Sequence, residues 1–419
     1  MSSSRSFGRR RPVLDIFVGR QPIFDRQLNV VGYELLFRGF EADEANVVDG
    51  DLATSQVIVN TFMEIGLDRL VGNGLAFMNL TRRFLIDEYP LPVMQGRMVL
   101  EVLEDVKVDE ALVNALRRLS RQGYQIALDD VVHPEDVSPL LEIADIVKID
   151  LLAVDQDRLG EHVATLREYG VRLLAEKVET HEDMELCLDL GFDCFQGFFL
   201  SRPKVVSGRR MPASRLAIVR LLAELQNPYI EFGELEAIVR QDVALSYRLL
   251  RLINSAFFSL PTKITTIRQA LTLLGIQQVQ AWLSLLLLAK IDDKPRALMT
   301  TAMTRAKMCE LLAMAANEPG PEADFTVGLF SVLDALLDLP MEEVVTALPL
   351  SDEVTAALLE SQGHLGAALD CALAYERGDW DAVSYLSLTP EEIRDAYLES
   401  LDWTMRAGAL LGKGAAGDW

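Results

Sequence analysis

From residue 16 to about residue 203, short apolar, β-branched runs alternate with stretches whose apolar residues recur every three to four positions. The runs predict eight strands: Ile16–Phe24, Val30–Phe37, Leu75–Leu80, Met98–Leu103, Gln125–Asp129, Ile146–Ile149, Arg172–Val178 and Cys194–Leu200. The stretches between them read as helices. In Asp109–Gln122 the residues Leu112, Ala115, Leu116 and Leu119 share one helical face, and Gly123 follows as a stop. Gly170 ends Asp157–Tyr169 in the same way. Helices between strands are what parallel neighbours require, and eight strands in about 200 residues favour a closed (β/α)8 barrel over an open sheet.

From Ala213 onward the strand signals stop. Ser214–Leu225, Glu234–Arg240, Leu245–Asn254 and Ile267–Leu274 carry Leu and Ala at helical spacing, broken by Pro228, Pro261 and Gly275. A last helix, Pro390–Leu411, starts from Thr389 as N-cap with Glu391 and Glu392 in its first turn. The predicted organisation is an α/β barrel over 1–205, a linker over 206–212 and an all-helical domain over 213–419 with a C-terminal helical extension. Gln269–Ala289 carries no charge but holds four glutamines and a glycine, so it reads as a buried helix and not a membrane span.

Composition narrows the function. The 419 residues are 50% hydrophobic and 25% charged, and 40 Lys+Arg against 63 Asp+Glu leave a net charge of −23. So acidic a chain is a poor partner for polymeric nucleic acid, whose phosphates call for concentrated positive charge. Arg9–Arg11 is the one basic cluster that stands out, and it reads as a solvated tail. Four cysteines without a CxxC pair exclude a disulfide framework, and no apolar stretch follows Arg9–Arg11 as in a secretory signal. A cytoplasmic protein is expected.

The chemistry lies at the strand ends, where a (β/α)8 barrel keeps its active site. Glu34 lies in the second strand, Asn79 ends the third, and Glu101 and Glu104 close the fourth. Asp129 and Asp130 close the fifth, Lys148 and Asp150 the sixth, Glu176 and Glu179 the seventh, and Gln196 sits in the eighth. Carboxylates in apolar strands are costly to bury unless they are paired or hold a metal. Oxygen ligands without His or Cys suit a hard cation, Mg²⁺ or Mn²⁺, and two such ions are common machinery for attacking a phosphodiester.

The motifs RQPIFD (Arg20–Asp25), YELLFRG (Tyr33–Gly39), MNL (Met78–Leu80), LEVLE (Leu100–Glu104), LDD (Leu128–Asp130), VKID (Val147–Asp150), AEKVET (Ala175–Thr180) and FQGFFLSRP (Phe195–Pro203) resemble the EAL domain. The resemblance implies a barrel that hydrolyses cyclic-di-GMP with two divalent metals. It implies metal ligands at Glu34, Asn79, Glu101 and Asp129, with Asp130 bridging both ions. Lys148 matches the lysine that contacts the attacking water. Glu176 and Glu179 match the seventh-strand glutamates, and Gln21, Arg38 and Gln196 the nucleotide contacts.

Three departures set this chain apart. Val131–Glu135 stands where active members carry Phe-Gly-Thr-Gly, the name motif reads Glu34-Leu35-Leu36, and Lys177 replaces a glycine. Leu235–Gly275 resembles the HDOD domain, an all-helical relative of the HD phosphohydrolases. Those enzymes need several histidines, and this half contains only His364, so HD hydrolysis is excluded. Asn254, Ser255, Phe257 and Phe258 read either as a recognition feature or as a capped helix followed by core aromatics. The expected function is a signalling adaptor whose barrel senses cyclic-di-GMP and whose helical half contacts a partner protein. The alternatives are an active Mg²⁺- or Mn²⁺-dependent phosphodiesterase and a pure scaffold.

Overall fold

The computed structural model describes residues 16–39, 65–87, 96–104, 106–201, 213–227, 229–255, 258, 262–291 and 294–412. Arg9–Arg11, the linker 206–212 and Phe257 lie outside these residues. Eight strands close into one barrel in chain order: β1 (Ile16–Asp25), β2 (Val30–Gly39), β3 (Leu75–Leu80), β4 (Met98–Val102), β5 (Gln125–Leu128), β6 (Ile146–Asp150), β7 (Arg172–Glu176) and β8 (Cys194–Gln196).

The strands are not all parallel. β2 to β8 run in one direction, but β1 is antiparallel to both β2 and β8. The reason is the connection. Only Arg26–Asn29 separates β1 from β2, far too short for a crossover helix. Asp25 Oδ1 accepts the backbone N–H of Gln27 and of Asn29, each at 2.8 Å, and fixes this tight turn. At the other end β8 stops at Gln196 rather than Leu200, and Phe199–Ser201 forms a single 3-10 turn. Gly197 permits the change of direction, because a Cβ there would fall 2.0 Å from the Val178 carbonyl oxygen.

The barrel helices form where the periodicity placed them. Glu110–Arg121 is capped by Asp109, whose side chain accepts the Leu112 N–H at 3.1 Å, and it buries Leu112, Ala115, Leu116 and Leu119 against the sheet. Gln156–Arg167 and His181–Leu190 follow, the latter with a Thr180–Asp183 capping box.

In the helical half, Gln269–Ala289 is two helices, Ile267–Leu274 and Ile276–Leu288, separated at Gly275 (φ 83°). Among the described residues no helix is long and apolar enough to cross a membrane. Asn254 is structural: its Nδ2 donates to the carbonyls of Leu250 and Ile264 and its Oδ1 accepts the Ile264 N–H. Phe258 packs against Trp282.

This half does not share one core. Residues from Ile218 to Leu348 form a cluster with Trp403 and Ala407. The helices Asp352–Glu360 and Gly363–Arg377, and the first part of Pro390–Gly412, instead join the barrel's own cluster through Leu365, Leu369, Tyr375, Tyr397 and Leu401. The helix Arg296–Ala315 reaches both, with Ala302 and Met303 in one cluster and Met308 and Leu312 in the other. Cys187, Cys194, Cys309 and Cys371 are all free thiols. Burial pushes Cys187 up to about 12, which keeps it unreactive.

One buried carboxyl in this half is unpaired. Asp324, in the helix Pro321–Phe330, is fully buried and neither carboxylate oxygen has a hydrogen-bond partner. Burial, with Glu318 and Glu310 adding to it, pushes its pKa from 3.8 up to about 7. The folded state therefore keeps a proton that the unfolded chain releases, and stability is lost as pH rises through about 7. Asp324→Asn is expected to stabilise the protein by roughly 1–3 kcal/mol at pH 8 and to be near neutral at pH 4. Urea unfolding at both values tests this, and equal shifts at the two would contradict it.

Candidate active site

Alternation along a strand decides which side chains enter the barrel. Ile23, Phe77, Val99, Ala127, Ile146 and Leu174 form a closed apolar plug inside it. Two residues further toward the C-terminal rim, the same strands present Asn79, Glu101, Asp129, Lys148 and Glu176. On β1, which runs the other way, the equivalent step leads back to Gln21, opposite Glu34 on β2. Gln196 of β8 completes the set. An apolar layer is thus overlaid by a ring with a polar residue from every strand.

The ring is held by one cation. Lys148 Nζ lies 2.8 Å from Asp129, 2.9 Å from Glu176, 3.1 Å from Glu101 and 3.6 Å from Glu34. Burial alone would pull its ammonium down, but the four carboxylates hold it well above the ordinary lysine value. One positive charge cannot balance four negative ones. Burial accordingly raises the Glu101 carboxyl far above its usual range and lifts Glu176 to about 8. Glu34 is tied from both sides: Asn79 Nδ2 donates to its Oε1 at 3.1 Å, and Gln196 Nε2 to its Oε2 at 2.6 Å. Gln196 Nε2 also donates to Gln21 Oε1 at 2.9 Å, so these glutamines orient Glu34.

The donor set fits divalent cations. Ligand atoms of Asp129, Asp130 and Glu176 lie within 4.8 Å of one another. Glu101 Oε2 and Asn79 Oδ1 are buried without hydrogen-bond partners, which in an oxygen-lined site suits a hard ion. Asp130 takes a left-handed conformation (φ 44°) without any glycine at that position.

The replaced loop is ordered by other means. Val131 is buried, its N–H donates to the Lys148 carbonyl at 3.3 Å, and its carbonyl accepts from His162 Nε2 at 2.8 Å. His133 and Glu135 point to solvent. Lys177 (φ 53°) pairs with Asp150. Two expected residues stand apart from the ring. Glu179 is exposed in the turn before His181–Leu190, and Arg38, beyond the rim, pairs with Asp381 at 2.7 Å. His162 and Asp381 carry no local sequence signal for these roles; only the fold brings them here.

Two family models match the chain: the EAL domain over residues 70–203 and the HDOD domain over 211–346. The first begins after β2, so the barrel closure, not the match, places Gln21 and Glu34 in the site. The chain is 35% identical over 402 residues to the uncharacterized protein YuxH of Bacillus subtilis, covering 93% of this chain and 98% of that one. It is 34% identical over 404 residues to the cyclic di-GMP phosphodiesterase CdgJ of Vibrio cholerae, covering 94% of each. Among solved structures it resembles the Bacillus subtilis YkuI protein, with an EAL domain, in complex with c-di-GMP and calcium. That match has 22% identity, 59% and 68% coverage of the two chains and a TM-score of 0.37.

Removing the central cation isolates the charge imbalance. Lys148→Met is expected to cost roughly 3–5 kcal/mol in a chelator, because it leaves four buried carboxylates uncompensated. Added Mn²⁺ is expected to restore more stability to this variant than to the wild type. Denaturation with and without the metal tests it; equal Mn²⁺ stabilisation of both proteins would contradict a metal site at the ring.

Proposed function

This chain belongs to the family that joins an EAL domain to an HDOD domain, and from that membership we propose that its barrel hydrolyses cyclic-di-GMP with divalent cations, Mg²⁺ or Mn²⁺. The observation that carries the reading is the unbroken polar ring above the apolar plug, with Glu101 Oε2 and Asn79 Oδ1 buried in it without hydrogen-bond partners. A scaffold would have no physical reason to bury these groups together. The likeness to CdgJ over nearly the whole of both chains supports the same reading.

Glu34, Asn79, Glu101, Asp129, Asp130 and Glu176 would hold the cations. Bound there, the ions supply Lewis-acid polarisation of the phosphodiester and lower the pKa of the attacking water. Lys148, fixed among Asp129, Glu176 and Glu101, would place its positive charge beside that water. Gln21 and Gln196 hold Glu34 in place, and Arg38 at the rim offers a guanidinium to the dinucleotide. The helical half, which lacks the histidines for HD chemistry, acts through contacts with a partner protein and with the barrel.

A second reading, binding without turnover, is favoured by the exchange of Phe-Gly-Thr-Gly for Val131–Glu135. The assembled ring and the left-handed Asp130 weigh toward hydrolysis. Incubation with cyclic-di-GMP and Mn²⁺ or Mg²⁺ is expected to give linear dinucleotide, and Glu34→Gln to abolish it. Calorimetric binding with no product at high protein concentration would select the sensing reading instead.

A further inference from the structure

β1 and β2 extend past the barrel rim as a two-stranded ribbon. β8 pairs with β1 only from Ile23 to Asp25, whereas β2 pairs with it from Ile16 onward. The edge of β1 above Ile23 is closed by the C-terminal helices. The buried Tyr375 hydroxyl accepts the Val18 N–H at 3.4 Å and donates to the Val18 carbonyl at 3.3 Å. Trp380 stacks on Phe17, with centroids 5.2 Å apart and planes at 8°, and Tyr375 meets both rings edge-on.

Two glycines allow this close approach. A Cβ at Gly19 would fall 2.8 Å from the Trp380 ring, and one at Gly378 (φ 68°) 2.8 Å from Leu36 Cδ1. Asp381 takes Arg38 in the same turn. The ribbon positions gripped by this turn are therefore Phe17, Gly19, Leu36 and Arg38. Gln21 and Glu34 lie two residues from Gly19 and Leu36 on the same two strands, and their side chains belong to the ring.

The clasp is also wired to the helical half. Glu376, beside Tyr375, accepts both a 3.0 Å and a 2.9 Å hydrogen bond from Arg305 Nε, and Arg305 lies in the helix that spans the two hydrophobic clusters. A cavity lined by Arg20, Gln21, Phe198, Thr301, Glu376 and Tyr397 lies between that helix and the ribbon.

We infer that the turn Gly378–Asp381 is a positioning element for the barrel site, through which the helical half sets the placement of Glu34, Gln21 and Arg38. The inference rests on the proposed metal-dependent site and adds its regulation. Trp380 and Asp381 touch no reacting group; they act through the ribbon.

The test uses the full chain, with Mn²⁺ calorimetry and amide hydrogen exchange as readouts. Trp380→Ala is expected to weaken Mn²⁺ binding about tenfold or more, as loss of a ligand's support does. It should also speed exchange in 17–21 and 33–38 while leaving β4 to β7 unchanged. Trp380→Phe, which keeps a stacking ring, is expected to recover most of the affinity. Should Trp380→Ala fail to unfold cooperatively, Phe17→Leu carries the same expectation. Wild-type Mn²⁺ affinity in a folded clasp variant would overturn the inference. A wild-type protein that binds Mn²⁺ but releases no product defeats the hydrolysis reading alone, whereas one that binds no Mn²⁺ defeats both.

Discussion

Lys148 faces four carboxylates at the centre of the barrel, and the rest of the site follows from that imbalance. One buried ammonium holds Asp129, Glu176, Glu101 and Glu34 together, yet leaves an excess of negative charge in a space with little water. Such an arrangement needs protons or cations to persist. The raised carboxyls of Glu101 and Glu176 express the first solution, and the convergent oxygens of Asp129, Asp130 and Glu176 offer the second. The strong acidity of the chain is unfavourable for a nucleic-acid polymer but compatible with a small dinucleotide whose charge is bridged by divalent ions.

The ring is only as well placed as the strands that carry it. Five of its members stand on β3 to β7, each flanked by parallel strands on both sides. Gln21 and Glu34 stand on the ribbon, whose outer edge is finished by Tyr375 and Trp380, more than 340 residues away in sequence. The helical half is consequently built into the barrel's own hydrophobic cluster. A module that contributes core to its neighbour can bias that neighbour's site without touching its ligand.

Much of this was legible along the chain. Short apolar, β-branched runs located the strands to within a few residues, because strands covered on both faces read as continuous apolar stretches, and polar residues at their exits marked the candidate site, because such groups are expensive to bury without a purpose. The direction of β1 was not legible from hydrophobicity, which is the same for a strand read either way; the four-residue turn to β2 decided it. The altered loop after Asp130 looked like the loss of a conformational device. In the fold, Asp130 adopts the left-handed conformation itself, and His162 fastens the neighbouring Val131 from a distant helix.

By itself the sequence determined the two textures and the barrel, and it set most of the ring's polar residues at strand ends, since each depends on residue identity at short, regular spacing. Only the tertiary structure decided which cation holds the ring, that Lys177 pairs with Asp150 rather than Glu176, and that the last helices close the edge of β1. Those outcomes are contacts between residues far apart in the chain. Local periodicity carries no record of them, because they depend on where closure of the barrel brings each strand end.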